Sequence, residues 1–216
     1  AIVEYPCPVA FFAMLAHPAF QENAVHKTAG VEKTILLVSD LVPALEPVDP
    51  DQSEAAYPPT TEDPAFDLIH VMDFHEIAQY EPGADEPERT GEEAWQLYQE
   101  AGQGASAELG HYLTGQFDVQ GVFTGDDRDW NRVTIVRMSS LAGFQALLDD
   151  PDRQAAAYHR LAALAHNYSM ITFPILSQIP NGGDDTQELP VTEDGTGTLC
   201  EDDDDCPGDG VEYCLM

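Results

Sequence analysis

Positive charge is what this sequence has least of. Eight Lys and Arg stand against 40 Asp and Glu in 216 residues, a formal net charge of −32. Nucleic acid and anionic membranes both need Lys and Arg to neutralise phosphate, so such a surface excludes them as partners. Salt or bound cations relieve self-repulsion of this size, which suits a cation-rich extracellular setting. A run of about 20 apolar residues is also missing, which excludes membrane insertion as a helix. No P-loop, G-x-G-x-x-G, H-E-x-x-H or Ser-His-Asp order occurs, so nucleotide, zinc-protease and serine-hydrolase chemistry has no signature here.

Cysteine is scarce and unevenly placed. Of Cys7, Cys200, Cys206 and Cys214, three fall within the last 17 residues, in an Asp- and Gly-rich stretch. Disulfides hold down short segments that have no core, and they imply an oxidising compartment. Zinc is the rival reading, but C-x5-C-x7-C lacks the C-x2-C knuckle and is surrounded by carboxylates. Three tail cysteines cannot all pair among themselves, so Cys7 closes the set or a bond runs between chains. The chain opens at Ala1 directly in a strand, as a processed product would. The expected location is secreted, extracellular or periplasmic.

What the sequence does contain is a duplication. Shifted by 133 positions, Ile2, Val3, Phe11 and Leu15 fall on Ile135, Val136, Phe144 and Leu148. Pro18, Gln21, His26 and Ala29 fall on Pro151, Gln154, His159 and Ala162, with Lys27 facing Arg160. A chance amphipathic helix repeats an apolar stripe, but not Pro, Gln and His at one spacing as well.

Residues 1–43 read as strand, helix, strand: the second half of a repeat, with Phe11, Met14, Leu15 and Val25 on the apolar helix face. Residues 44–64, rich in Pro and acid, read as a linker. Residues 65–180 form a complete unit. Its strands are expected at 66–74, 112–124 (bulged at Gly115 or Gly121), 133–138 and 168–176. Thr90 and Glu93 form a capping box for one helix, and Ser139 or Ser140 caps a second carrying Phe144, Leu147, Leu148 and Leu161. The order β-α-β-β-α-β is the split βαβ or ferredoxin-like unit. Residues 181–216 form an acidic, cysteine-bearing tail.

The strand FDLIHVMDF, the helix start TGEEAWQLY, Trp130 to Val136, and Phe144, Asp150, Pro151, Gln154, His159 and Arg160 resemble a family. It is the uncharacterised dimeric α+β barrel proteins related to EthD-like proteins and antibiotic-biosynthesis monooxygenases. The resemblance implies an α+β fold in which two ferredoxin-like sheets close one barrel. It also implies that the first repeat lacks its opening strand, first helix and second strand. In a 4-1-3-2 sheet the missing first strand separates the third and fourth, leaving unpaired backbone groups on both. A cleaved upstream segment or a strand from another copy would fill the gap, and Val211–Met216 is a candidate strand.

Functional residues are few. His70, with Met72 and Phe74 on its side, could enter a barrel cavity with Tyr98 or Trp130 and form a small-molecule site. A packed core is the bland reading. His70 and His75 alternate onto opposite faces. His26 and His159, at equivalent repeat positions, read as structural hydrogen-bonders rather than ligands. Asp202, Asp203, Asp204 and Asp205 offer calcium a loose site, but the spacing is not an EF-hand loop. No other cofactor is indicated. The leading expectation is an extracellular structural or assembly subunit, possibly filament-forming, completed by another chain or segment. The alternative is a small-molecule-binding or monooxygenase-like enzyme using the barrel cavity.

Overall fold

The computed structural model describes residues 2–42 and 51–173, and the backbone alone of 213–215. Its elements are β1 (Val3–Tyr5), α1 (Pro8–Ala16), α2 (Pro18–Gly30), β2 (Leu36–Leu41), β3 (Phe66–Phe74), α3 (Gly91–Glu108) and β4 (Tyr112–Thr124), then β5 (Arg132–Met138), α4 (Leu141–Leu148), α5 (Pro151–Ala155), α6 (Ala157–Ala163), β6 (Leu164–Thr172) and β7 (Tyr213–Leu215). The fold is α+β. The chain divides into two compact units: Ala1–Val42 with Phe117–Asp129 and Gly183–Met216, and Pro43–Gln116 with Trp130–Gly182. The long strand β4 contributes to both, because its second half pairs with β2.

In the second unit the strands run β4-β5-β3-β6. β3 is central and antiparallel to both β5 and β6, with His70 opposite Thr134 on one side and Ser169 on the other. Strand alternation sends Leu68, His70 and Met72 to one face and Asp67, Val71 and Asp73 to the other. The first face is covered by helices: Met72 packs with Ala94, Trp95 and Tyr98 of α3 and with Ala156 and Ala163. Phe66, Leu68 and Met138 form a second cluster with Phe144 of α4. Fully burying side chains such as Phe66 and Met72 is worth about 1.5–3 kcal/mol each.

Helix starts follow the local sequence. Thr90 accepts from the Glu93 amide and Glu93 accepts from the Thr90 amide, the reciprocal capping box. Ser140 accepts from the Gly143 amide. The matched prolines act alike: Pro18 opens α2 after His17, and Pro151 opens α5 after Asp150. The matched glutamines act alike too, since Gln21 donates to the Leu15 carbonyl and Gln154 to the Leu148 carbonyl at 3.1 Å. Those carbonyls lie at helix ends and would otherwise lack a partner.

Several expectations are corrected. The helix after Ser140 is not continuous but breaks into α4, α5 and α6. Each break resets the helical phase, so Leu161 is 71% exposed instead of lying on the apolar face, and Leu148, the last residue of α4, is exposed as well. Val25 is likewise exposed at 59%, because α2 begins anew at Pro18. The last strand starts at Leu164 rather than Tyr168, since pairing with Phe74 draws the chain straight from helix into sheet. The bulges in β4 fall around Gly121, where register slips beside Leu37 and Ser39.

The described part of the Pro- and acid-rich stretch is anchored within its unit. Gln52 donates to the Gly110 carbonyl, the Ala56 amide to Glu108, and Ser140 Oγ to the Tyr57 carbonyl. The Asp63 carboxylate accepts from the Leu141 and Ala142 amides, completing the α4 start. A negative charge there also meets the positive end of the helix dipole.

Two glycines of α3 should respond oppositely to alanine. A Cβ on Gly91 would lie 2.5 Å from the carbonyl oxygens of Ala163 and His75, whereas one on Gly104 meets nothing within 4 Å. Gly91→Ala should destabilise by about 3 kcal/mol, the upper end for overpacking. Gly104→Ala should stabilise by up to about 1 kcal/mol. Urea denaturation of both variants checks the pair.

Candidate functional site

Two places in the described chain combine unusual geometry with polar chemistry. The first is the layer between β3 and the helices. Ser169 Oγ lies 2.9 Å from His70 Nδ1. The Trp95 ring stands edge-on to His70 at 6.3 Å and tilts against Tyr98 at 5.5 Å. The Arg153 guanidinium sits over Tyr98 at 4.5 Å, a cation–π contact. The indole N–H of Trp95 and Nε of Arg153 are buried without a hydrogen-bond partner. Burial, with Arg160 and Arg153 adding repulsion, holds the His70 pKa down at about 4. The ring is therefore neutral near pH 7 and able to give or take a hydrogen bond, with a hydroxyl beside it.

His70 and Tyr98 are thus brought to one face, but Trp130 is not. Trp130 stacks on Tyr168 at 5.1 Å, and Tyr168 pairs with Val71 on the opposite face. Strand alternation separates the expected trio. The equivalent histidines also differ. His159 Nδ1 bonds the Tyr80 hydroxyl at 2.7 Å beneath Tyr158, whereas His26 is exposed. His111 escaped the sequence reading. It is buried and accepts from the Ser139 amide through Nδ1 at 3.2 Å. That bond puts the ring proton on Nε2. Burial lowers its pKa, partly offset by a hydrogen bond to the Gly143 backbone. Its only local signal is its place after Gly110, whose positive φ of 70° ends α3. A Cβ on Gly143 would lie 2.7 Å from Ser139 Oγ and 3.2 Å from His111, so this group is packed rather than open.

The second place is the seat of β7. Val3, Glu4 and Tyr5 pair antiparallel with Leu215, Cys214 and Tyr213. Val38, Ser39 and Asp40 pair with the same three residues from the other side. The first unit therefore runs β1-β7-β2-β4. Around it, Phe11 meets Tyr5, Phe12 and Phe123 at 5.3–5.5 Å. Cys7, at the cap of α1, is 2% exposed. Asp40 lies opposite Asp118, and burial followed by that neighbour raises its pKa.

Cys200, Cys206 and Asp202, Asp203, Asp204 and Asp205 lie outside the described residues, as does the side chain of Cys214. Among the described residues no group of three His, Cys, Asp or Glu could hold a metal, and no helix is long and apolar enough to cross a membrane.

Neither a protein-family model nor a curated protein matches the chain. Two solved structures are similar to it. One, of the RPA0582 protein of unknown function from Rhodopseudomonas palustris, is 24% identical, covers 57% of this chain and 99% of its own, and has a TM-score of 0.48. The other, methylated RPA0582, is 24% identical, covers 58% and 98%, and has a TM-score of 0.49.

The depressed His70 pKa has a consequence for stability. Between its unfolded value near 6.5 and about 4, the unfolded chain binds a proton that the folded chain refuses. Stability is thus fully present above about pH 6.5, falls as pH drops through that window, and levels off below about 4. Urea midpoints measured across the window should decline less steeply for His70→Gln, leaving the slope due to His111 and His159, whose burial also lowers their pKa. An unchanged slope would remove His70 as its source.

Proposed function

We propose that this chain is a secreted structural or assembly subunit that works by strand complementation. In this reading residues 65–180 are a complete ferredoxin-like unit and residues 1–43 the matching half of another, within a barrel like that of the EthD-related family. The order β4-β5-β3-β6 supports it, being second, third, first and fourth strand of that unit. So do the matched Pro and Gln roles in the two halves.

The observation that carries the proposal is the seat of β7. A three-residue strand near the C-terminus lies between two strands near the N-terminus and bonds both. Forty residues, 173–212, separate it from β6. Their contour cannot exceed roughly 145 Å, enough to seat the strand in its own chain or in a neighbour. Seated in a neighbour, it links copies through main-chain hydrogen bonds and extends a filament or closes a ring. Tail disulfides in an oxidising compartment, and calcium held by the tail carboxylates, would fasten the link.

A second reading is a small-molecule binder or monooxygenase-like enzyme. The neutral His70 beside Ser169, under Trp95 and near two arginines, favours it.

Light scattering with non-reducing mass analysis of the native chain tests the first reading. Assemblies should grow with concentration and disappear when residues 211–216 are deleted. A peptide of sequence VEYCLM added to the deletion variant should restore its folded first unit. A full-length chain that stays monomeric at every concentration, with an equally folded deletion variant, would reject subunit-to-subunit completion.

A further inference from the structure

Two donors in the layer between β3 and the helices have no acceptor among the described residues. Trp95 is 5% exposed, and its indole N–H is buried without a hydrogen-bond partner. Nε of Arg153 is buried in the same condition. Buried N–H groups in native proteins nearly always have partners, and an unmet one is costly. Both residues touch Tyr98, the indole at 5.5 Å and the guanidinium at 4.5 Å. Trp95, Tyr98 and Gly102 follow one another at i, i+3 and i+7, a single stripe of α3. A Cβ on Gly102 would come within 3.0 Å of Arg153 Nη1, so glycine leaves the guanidinium room against the helix. From the sheet side His70 meets the edge of Trp95 at 6.3 Å, with Ser169 Oγ 2.9 Å from its Nδ1.

The donor set selects the ligand. An indole N–H only donates, and a guanidinium offers five N–H groups and accepts nothing. The layer is also positive: Arg160 and Arg153 add to the burial that holds the His70 pKa at about 4. Lys33, Arg89, Arg128, Arg132 and Arg137 each pair with a carboxylate. Among the described residues Arg153 and Arg160 form no such pair. A carboxylate is acceptor-only, carries the opposite charge and matches the planar fork of a guanidinium. The rings of Trp95 and Tyr98 suit an apolar body attached to it.

We infer that this layer binds a small apolar molecule bearing a carboxylate, held by Arg153 and the Trp95 indole N–H beside His70. The inference rests on the second reading above, a small-molecule site at His70, and names the class of ligand.

The test uses the full-length chain labelled with 15N, benzoate, and benzamide, which has the same shape without the charge. The chain has two tryptophans, so two indole N–H signals are followed by NMR and assigned with Trp130→Phe. Benzoate should move the Trp95 signal downfield to saturation and leave that of Trp130 in place. Benzamide should bind about tenfold more weakly, the worth of one charged hydrogen bond. Arg153→Gln should weaken benzoate by about tenfold and leave benzamide unchanged. If that variant does not fold, the benzoate-to-benzamide ratio of the unaltered chain decides. Equal affinities, or benzoate binding untouched in a folded Arg153→Gln chain, would overturn the carboxylate assignment and leave a small-molecule site at His70 standing. A Trp95 signal unmoved by either compound would overturn the inference, and unmoved His70 ring signals as well would reject the second reading with it.

Discussion

Strands β1 and β2 are both antiparallel to β7 and lie on either side of it. They run the same way and stand one strand apart, so neither can satisfy its backbone groups on the other. Buried N–H and C=O groups are paired in nearly every native protein, and an orphan costs as much as a lost hydrogen bond. A strand must therefore enter between them before the first unit can close. The tail supplies it, and the rest of that unit is arranged around the insertion. The Tyr5–Phe11–Phe123 ring contacts hold α1 to β1 and to the second half of β4, so the sheet around the seat is packed as well as hydrogen-bonded.

The few basic residues are spent locally. Lys33 binds Asp126, Arg89 binds Glu86, Arg132 binds Glu92 and Arg137 binds the buried Asp67 at 3.0 Å. Exposed pairs of this sort contribute little, a median of about 0–1 kcal/mol. Burial raises the pKa of Asp67 and Arg137 opposes it, so that pair offsets a desolvation cost instead of adding much stability. Arg153 stands apart, lying over an aromatic ring near a neutral histidine. That contact places a cation on the helix-covered face of β3.

Much of the second unit was legible residue by residue. Phe66–Phe74 and Tyr112–Thr124 were expected at the bounds observed, because glycine, proline and acidic turns flank them. Thr90 and Glu93 announced a helix start, and Pro18 announced a bend or break. The failures share one cause. Extending the helix past Asp149 assumed an unbroken phase, and grouping Trp130 with His70 assumed a shared sheet face. Both depend on where the chain lies relative to residues far away in sequence.

The sequence by itself therefore determined the caps, the turns and the strand periods. Each of those rests on contacts within a few residues or on a repeated spacing. Only the tertiary structure decided that β7 lies between β1 and β2, that Trp130 faces away from His70, and that His111 is enclosed beside Ser139. Strand alternation states which side chains share a face, but not which face is covered. Likewise, a strand's edge carries the same donors and acceptors whatever its side chains. Choice of neighbour is made by the packing of whole elements, and that is decided only when they meet.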